Sequence, residues 1–150
     1  MKGDIDYVSA IVCCGPQFKD SDLANWGLDQ LLIEDQKPGS VIEVIQGGAG
    51  GADRMAADWA ERSGAVQTPM KVNFKKHGYA GIEVLNHDMA TRLEARRDQA
   101  GVKALVVGMP GGEGTAHMLR VARNRGIEVL TFASDLPARP GKSAQATFDL

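Results

Sequence analysis

Two glycine-rich segments carry the residue types best suited to holding an anionic ligand. The first is Gly47-Gly48-Ala49-Gly50-Gly51-Ala52-Asp53, after the apolar run Val41-Ile42-Glu43-Val44-Ile45. The second is Pro110-Gly111-Gly112-Glu113-Gly114-Thr115, after Ala104-Leu105-Val106-Val107. Glycines let a backbone come close to a ligand and adopt positive φ without a side-chain clash. A helix that opens directly after such a turn adds unpaired N–H groups and a partial positive charge, which suits phosphate. A single turn of this kind is also ordinary loop punctuation. Two in equivalent strand–turn–helix settings point to a nucleotide or nucleotide-like ligand.

The individual residues divide by what they can do. Gly47, Gly48, Gly50 and Gly51 fit a backbone-lined cradle, or else a tight turn with no ligand. Asp53 suits a ribose diol, as acidic residues do in dinucleotide sites, or caps the helix that begins there. Arg54 reaches a phosphate or lies exposed on that helix. Pro110, Gly111, Gly112, Gly114 and Thr115 form the stronger half, since Thr115 offers both an N–H and a hydroxyl to phosphate; its alternative is N-capping. Glu113 can exchange a proton, orient a ribose, or stand as a solvated loop residue. Neither His87 nor His117 has metal-ligand spacing, and a surface or packing role is the plainer reading of each. Trp59, at helical spacing with Met55, reads as core rather than as a base-stacking platform. Arg92, Arg96 and Arg97 read as a solvated helix face or a subunit contact. The adjacent Cys13 and Cys14 also lack metal spacing and read as reduced, mostly buried thiols. No metal or cofactor is expected.

The elements that must position these residues follow from periodicity and punctuation. Residues 7–14 read as a buried strand ended by Gly15-Pro16, and Asp20-Ser21-Asp22 caps a helix through about Leu32. Lys37 to Ser40 reads as a turn before a second strand over Val41 to Ile45. A helix over Asp53 to Arg62 stops at Gly64. Val66 to Phe74 reads as a less regular strand, weakened by Pro69. Ile82, Leu85, Met89 and Leu93 mark one stripe of a longer helix ending near Gly101. Lys103 to Val107 is a strand, Thr115 to Arg125 a helix closed by Gly126, and Ile127 to Phe132 a fifth strand. This alternation predicts an α/β, Rossmann-like, doubly wound and mainly parallel sheet of about five strands with helices on both faces. Both glycine turns then lie beyond the carboxyl ends of strands, where such sheets bind ligands. Residues 1–133 form the expected nucleotide-binding domain, and residues 134–150, rich in proline and small polar residues, an extended or partly disordered tail.

Composition bounds the partners. The 150 residues are 43% hydrophobic and 24% charged, the balance of an ordinary globular domain. No apolar stretch approaches the roughly 20 residues that span a bilayer. The start, Met1 to Asp6, is too polar for a secretory signal, so a cytoplasmic protein with no membrane partner is expected. A net charge of −2 and a pI near 5.9 argue against nucleic acid as a partner. A local pocket for a small phosphorylated molecule is compatible with that balance.

The order of motifs resembles the SLOG superfamily, which includes the "Lonely guy" phosphoribohydrolases, once misnamed lysine decarboxylases, and the DNA-processing protein DprA. It is most similar to the YspA-like branch of bacterial and phage proteins. That branch's pattern has counterparts here in Gly47 to Arg54, in Ala80-Gly81 through Asn86 and Met89, and in Pro110 to Thr115. The resemblance spans about Tyr7 to Phe132. It implies a Rossmann-like fold, a nucleotide-derived ligand at the turns, self-association into a homo-oligomer, and a ligand-facing role for Asn86, whose alternative is a plain polar helix position. Two family arginines are replaced, by Gly50 and Leu85, which removes bidentate phosphate donors. The phosphoribohydrolases place a catalytic glutamate where this chain has Met118, and a methionine can neither exchange a proton nor stabilise an oxocarbenium-like centre.

Three expectations follow. The first is a non-catalytic receptor or sponge for a nucleotide, ADP-ribose-like, cyclic or monophosphate. The second is a hydrolase cleaving an N-glycosidic bond, with Glu113, Asp53 or Asn86 as candidate catalytic groups. The third is a structural or assembly subunit whose glycine turns are merely turns.

Overall fold

Val8, Ala10 and Val12 face one side of the sheet and Ser9 and Ile11 the other, as the two-residue period of a strand requires. Both sides are buried, which is what a parallel sheet covered by helices demands. The computed structural model describes residues 5–13, 20–29, 31, 36–47, 51–132 and 146–149. In chain order these form β1 (Ile5–Cys13), α1 (Ser21–Asp29), β2 (Gln36–Gln46), α2 (Gly51–Ser63), β3 (Val66–Pro69) and α3 (Phe74–His77). A 3-10 turn (Gly78–Ala80) leads into α4 (Gly81–Arg97), β4 (Val102–Gly108), α5 (Glu113–Asn124), β5 (Glu128–Phe132) and β6 (Ala146–Asp149).

The sheet order is β3-β2-β1-β4-β5-β6. Its first five strands are all parallel and β6 runs antiparallel to β5. This is the Rossmann-like α/β arrangement, and the strand order reverses between β1 and β4. One apolar cluster joins the sheet to α1 and α2 through Leu23, Leu28, Trp59 and Ala60. The other joins it to α4 and α5 through Leu85, Met89, Leu93 and Met118. Trp59 is a core residue, 2% exposed, whose Nε1 donates to Asp29 Oδ1 at 2.9 Å.

Several local expectations are corrected. Residues 37–40 lie inside β2, not in a turn. The register passes from Ile5 opposite Gln36 to Tyr7 opposite Val41, so the extra residues are absorbed as an irregularity in the ladder. The third strand stops at Pro69, which stands on the sheet's edge where a missing N–H is tolerated. Phe74 instead opens α3, which Asn73 caps by accepting from the Lys76 N–H at 3.0 Å. The first helix ends at Asp29, with Leu31 buried in the turn beyond it. Ile82 departs from its expected stripe: Leu85, Met89 and Leu93 are buried, whereas Ile82 is 41% exposed. Residues 146–149, read as part of a tail, add a sixth strand.

The arginines of α4 are not simply a solvated face; each is half-exposed and turned onto a partner. Glu43, 1% exposed on β2, accepts from Ser9 Oγ at 2.7 Å and Thr68 Oγ1 at 2.6 Å. Arg92 Nη2 and Arg96 Nε each approach it at 3.3 Å. Burial alone would push the Glu43 carboxyl up; the Thr68 and Ser9 hydroxyls with Arg96 and Arg92 outweigh it and hold the group below the usual carboxylate range. Arg96 also lies over the Tyr7 ring, 5.5 Å from its centroid. Arg97 Nη1 donates to the carbonyls of Arg125 and Gly126, just past the end of α5. The network pins α4 to the sheet and so fixes where its first turn sits.

Candidate functional site

β4 delivers the chain to the second glycine turn at the point where the strand order reverses, the usual ligand crevice of an open α/β sheet. Gly111 and Gly112 are exposed. Gly112 is the N-cap of α5 with φ −97° and ψ −150°, and as a glycine it has no side chain to cap the helix. The first intrahelical bond runs from Ala116 N–H to the Gly112 carbonyl at 3.0 Å. The N–H groups of Glu113, Gly114 and Thr115 therefore have no partner from the helix itself. Among the described residues nothing lies within 4 Å of where a Gly112 Cβ would stand. Thr115 is 6% exposed, which leaves its N–H at the helix start and its side chain largely covered.

Beside this turn runs a groove of about 370 Å3, lined by Ile82 and Glu83 of α4 and by Glu113, Gly114, Ala116, His117 and Arg120 of α5. Glu113, His117 and Arg120 fall at i, i+4 and i+7, one face of a helix, so the groove extends along α5 from its N-terminus. Of these lining residues the sequence pointed to Gly114 for ligand binding and to Glu113 as a candidate catalytic group. The helical spacing was readable, but the Ile82–Glu83 wall depends on how α4 packs, which no local pattern states.

Asn86 is 5% exposed and points at α5. Its Nδ2 donates to the Gly114 carbonyl at 3.1 Å and lies 3.0 Å from His117 Nδ1. The His117 and His87 rings meet edge to face, with centroids 5.4 Å apart. Burial lowers the His117 pKa, as do the His87 ring and Arg120, while Glu83 acts in the opposite direction. His87 Nδ1 is 3.0 Å from Arg125 Nη2, and Arg125 in turn donates to Thr91 Oγ1 and pairs with Glu94 at 2.7 Å. A continuous polar seam thus joins α4 to α5 behind the turn.

The first glycine turn is framed by the end of β2 and the start of α2. Gly47 has a packing reason to be glycine, because a Cβ there would stand 3.1 Å from Leu85 Cδ2. Gly48 and Gly50 lie outside the described residues. Gly51, Asp53 and Arg54 fall in the first turn of α2, and their side chains lie outside what is described. Met118, at the place of the phosphoribohydrolase glutamate, is 0% exposed in the core between α5 and the sheet. Among the described residues there is no cluster of histidine, cysteine, aspartate and glutamate able to hold a metal ion, and no helix long and apolar enough to cross a membrane.

No curated protein matches the chain. Residues 9–77, from β1 through the first glycine turn to α3, match the family model YAcAr, described as the YspA, cpYpsA-related SLOG family. Over that segment, a little under half of its length, the chain is similar to the SLOG superfamily in its YspA-like branch.

Proposed function

We propose that the protein is a receptor or sponge for a nucleotide-derived ligand, with the phosphate at the second glycine turn and the rest of the molecule in the adjoining groove. The observation that carries this reading is the N-terminus of α5, whose N-cap is the glycine Gly112. It opens at the strand-order reversal with three backbone N–H groups free of intrahelical partners and no described residue within 4 Å of where a Gly112 Cβ would stand. Similarity to the SLOG superfamily fits ligand binding or processing of this general kind. The receptor reading is favoured over the phosphoribohydrolase one by Met118, which replaces an acid and is sealed in the core. Glu113, exposed at the groove, is the one described candidate acid for a hydrolytic alternative. Asn86 already uses its amide nitrogen within the chain.

The test is mass spectrometry of the protein incubated with nucleoside monophosphates, NAD, ADP-ribose and cyclic nucleotides, reading the retained and free fractions. An intact compound retained by the protein is the expected result. A free base or sugar phosphate that forms only with active protein would make it an enzyme instead. Failure to retain or alter any of the panel would leave a structural subunit.

A further inference from the structure

Two acceptors face the Asn86 amide nitrogen, the Gly114 carbonyl at 3.1 Å and His117 Nδ1 at 3.0 Å. A carbonyl oxygen only accepts, so it is the amide nitrogen, not its oxygen, that faces Gly114. The nitrogen has two protons; one serves Gly114 and the other is left for the imidazole. A ring nitrogen that accepts a hydrogen bond carries no proton, so the neutral His117 ring has its proton on Nε2. Among the described residues nothing pairs with Nε2, and the ring lines the groove.

The charges around this ring restrict what it can meet. Glu83 and Glu113 bring two carboxylates to the groove against the single guanidinium of Arg120. A neutral His117 leaves the groove with one net negative charge. That balance gives a phosphate no cation in the groove beyond Arg120, while an uncharged group bearing a hydrogen-bond acceptor fits Nε2–H. The exposed Ile82 side chain adds an apolar wall.

We infer that His117 is a ligand-facing hydrogen-bond donor that reads, through Nε2–H, an acceptor atom on the uncharged nucleoside part of the ligand, and that Asn86 is the positioning residue that fixes its tautomer. This rests on the nucleotide-receptor reading and adds to it a residue and a polarity. Protonation would turn His117 Nδ1 into a donor facing the donating amide of Asn86, so the same contact that orients the ring also opposes its charging. The groups facing the ring are Glu83 and His87 from α4 and Arg120 from α5, and the balance of their effects and burial favours the neutral form.

Two measurements on the full chain test the inference. Nitrogen NMR with 15N-labelled histidine should find His117 as the Nε2–H tautomer, and Asn86→Ala should produce a mixture of tautomers. A predominant Nδ1–H form in the unsubstituted protein would overturn the lock. Binding of the four ribonucleoside 5′-monophosphates should be about tenfold weaker in His117→Phe, the loss of one hydrogen bond. His117→Gln, whose amide N–H can stand near the place of Nε2–H, should retain affinity to within about threefold. Unchanged affinity in a folded His117→Phe protein would overturn the donor role and leave the receptor reading intact. Absence of binding to all four nucleotides by the unsubstituted protein, and to the wider panel above, would overturn both.

Discussion

Arg96 Nε on α4 lies 3.3 Å from Glu43 Oε1 in the middle of β2, so a buried carboxylate on the sheet holds the helix that walls the candidate site. The pairing is incomplete: Arg92 Nε is buried with no hydrogen-bond partner, and the two arginine side chains keep 40% and 30% of their surface in solvent. Solvent screening therefore limits what the ion pairs contribute. The hydroxyl of Ser9, a fully buried residue, has no such alternative for the acceptor it loses. Glu43→Met should cost about 1–3 kcal/mol, the usual cost of stranding buried polar groups. Denaturant melts with an unchanged slope should report it, and an unmoved midpoint would reduce the network to decoration. Its pH dependence has a definite sign. Because the folded carboxyl titrates below its unfolded value, its stabilisation is present above the ordinary carboxylate range and is lost as pH falls through the depressed folded value.

Gly112 separates the binding role of the second turn from its folding role. Its φ of −97° is open to any residue and no described residue stands at its Cβ position, so Gly112→Asp should fold with stability close to that of the parent. An aspartate there can also cap α5, covering the free N–H groups with its own carboxylate. Nucleotide affinity should fall by at least about a hundredfold, which corresponds to roughly 2.7 kcal/mol. Retained affinity in the folded variant would remove the phosphate from this turn.

Gly47 makes the opposite case. A Cβ would meet Leu85 Cδ2 at 3.1 Å and Met89 Cε at 3.5 Å. Gly47→Ala should therefore lose about 1 kcal/mol through crowding against Leu85 and Met89. A melting temperature equal to that of the parent would mean that Leu85 gives way freely and that packing does not require glycine here.

The alternation of strands and helices was legible because both periods are strong in this chain, and the breaks at Gly64, Gly101 and Gly126 carry positive φ values of 72°, 76° and 69° that favour glycine. What the sequence left hidden was long-range. Glu43 sits in an apolar run whose other members gave no hint that a carboxylate would be satisfied from β1, β3 and α4 at once. For the same reason Arg92 and Arg96 looked solvated. In the candidate site, Pro110 to Thr115 were readable from their local chemistry. Ile82 and Arg120 were not, since their place in the groove follows from the crossing of α4 and α5. Asn86 was noticed by family pattern, but its actual partners, Gly114 and His117, come from the packing of two helices.

His117 gives a last prediction, one that distinguishes a histidine coupled to the start of α5 from a surface histidine. Burial, the His87 ring and Arg120 together lower its folded pKa from the ordinary histidine value despite the opposing charge of Glu83. The unfolded chain then binds more protons than the folded one in the interval between the two values, so stability rises with pH across it. Above about 6.5, the unperturbed histidine value, the neutral ring contributes in full; as pH falls toward the depressed value, that contribution is lost. The contact that must break is Nδ1 to Asn86, and its loss frees the amide that holds the Gly114 carbonyl at the start of α5. Hydrogen exchange of Ala116 N–H, the first hydrogen-bonded amide of α5, should therefore rise on acidification relative to the core strands, after correction for the intrinsic rate. His117→Gln, which cannot titrate, should abolish that rise. Equal protection in both proteins across the histidine range would mean that His117 does not control the turn.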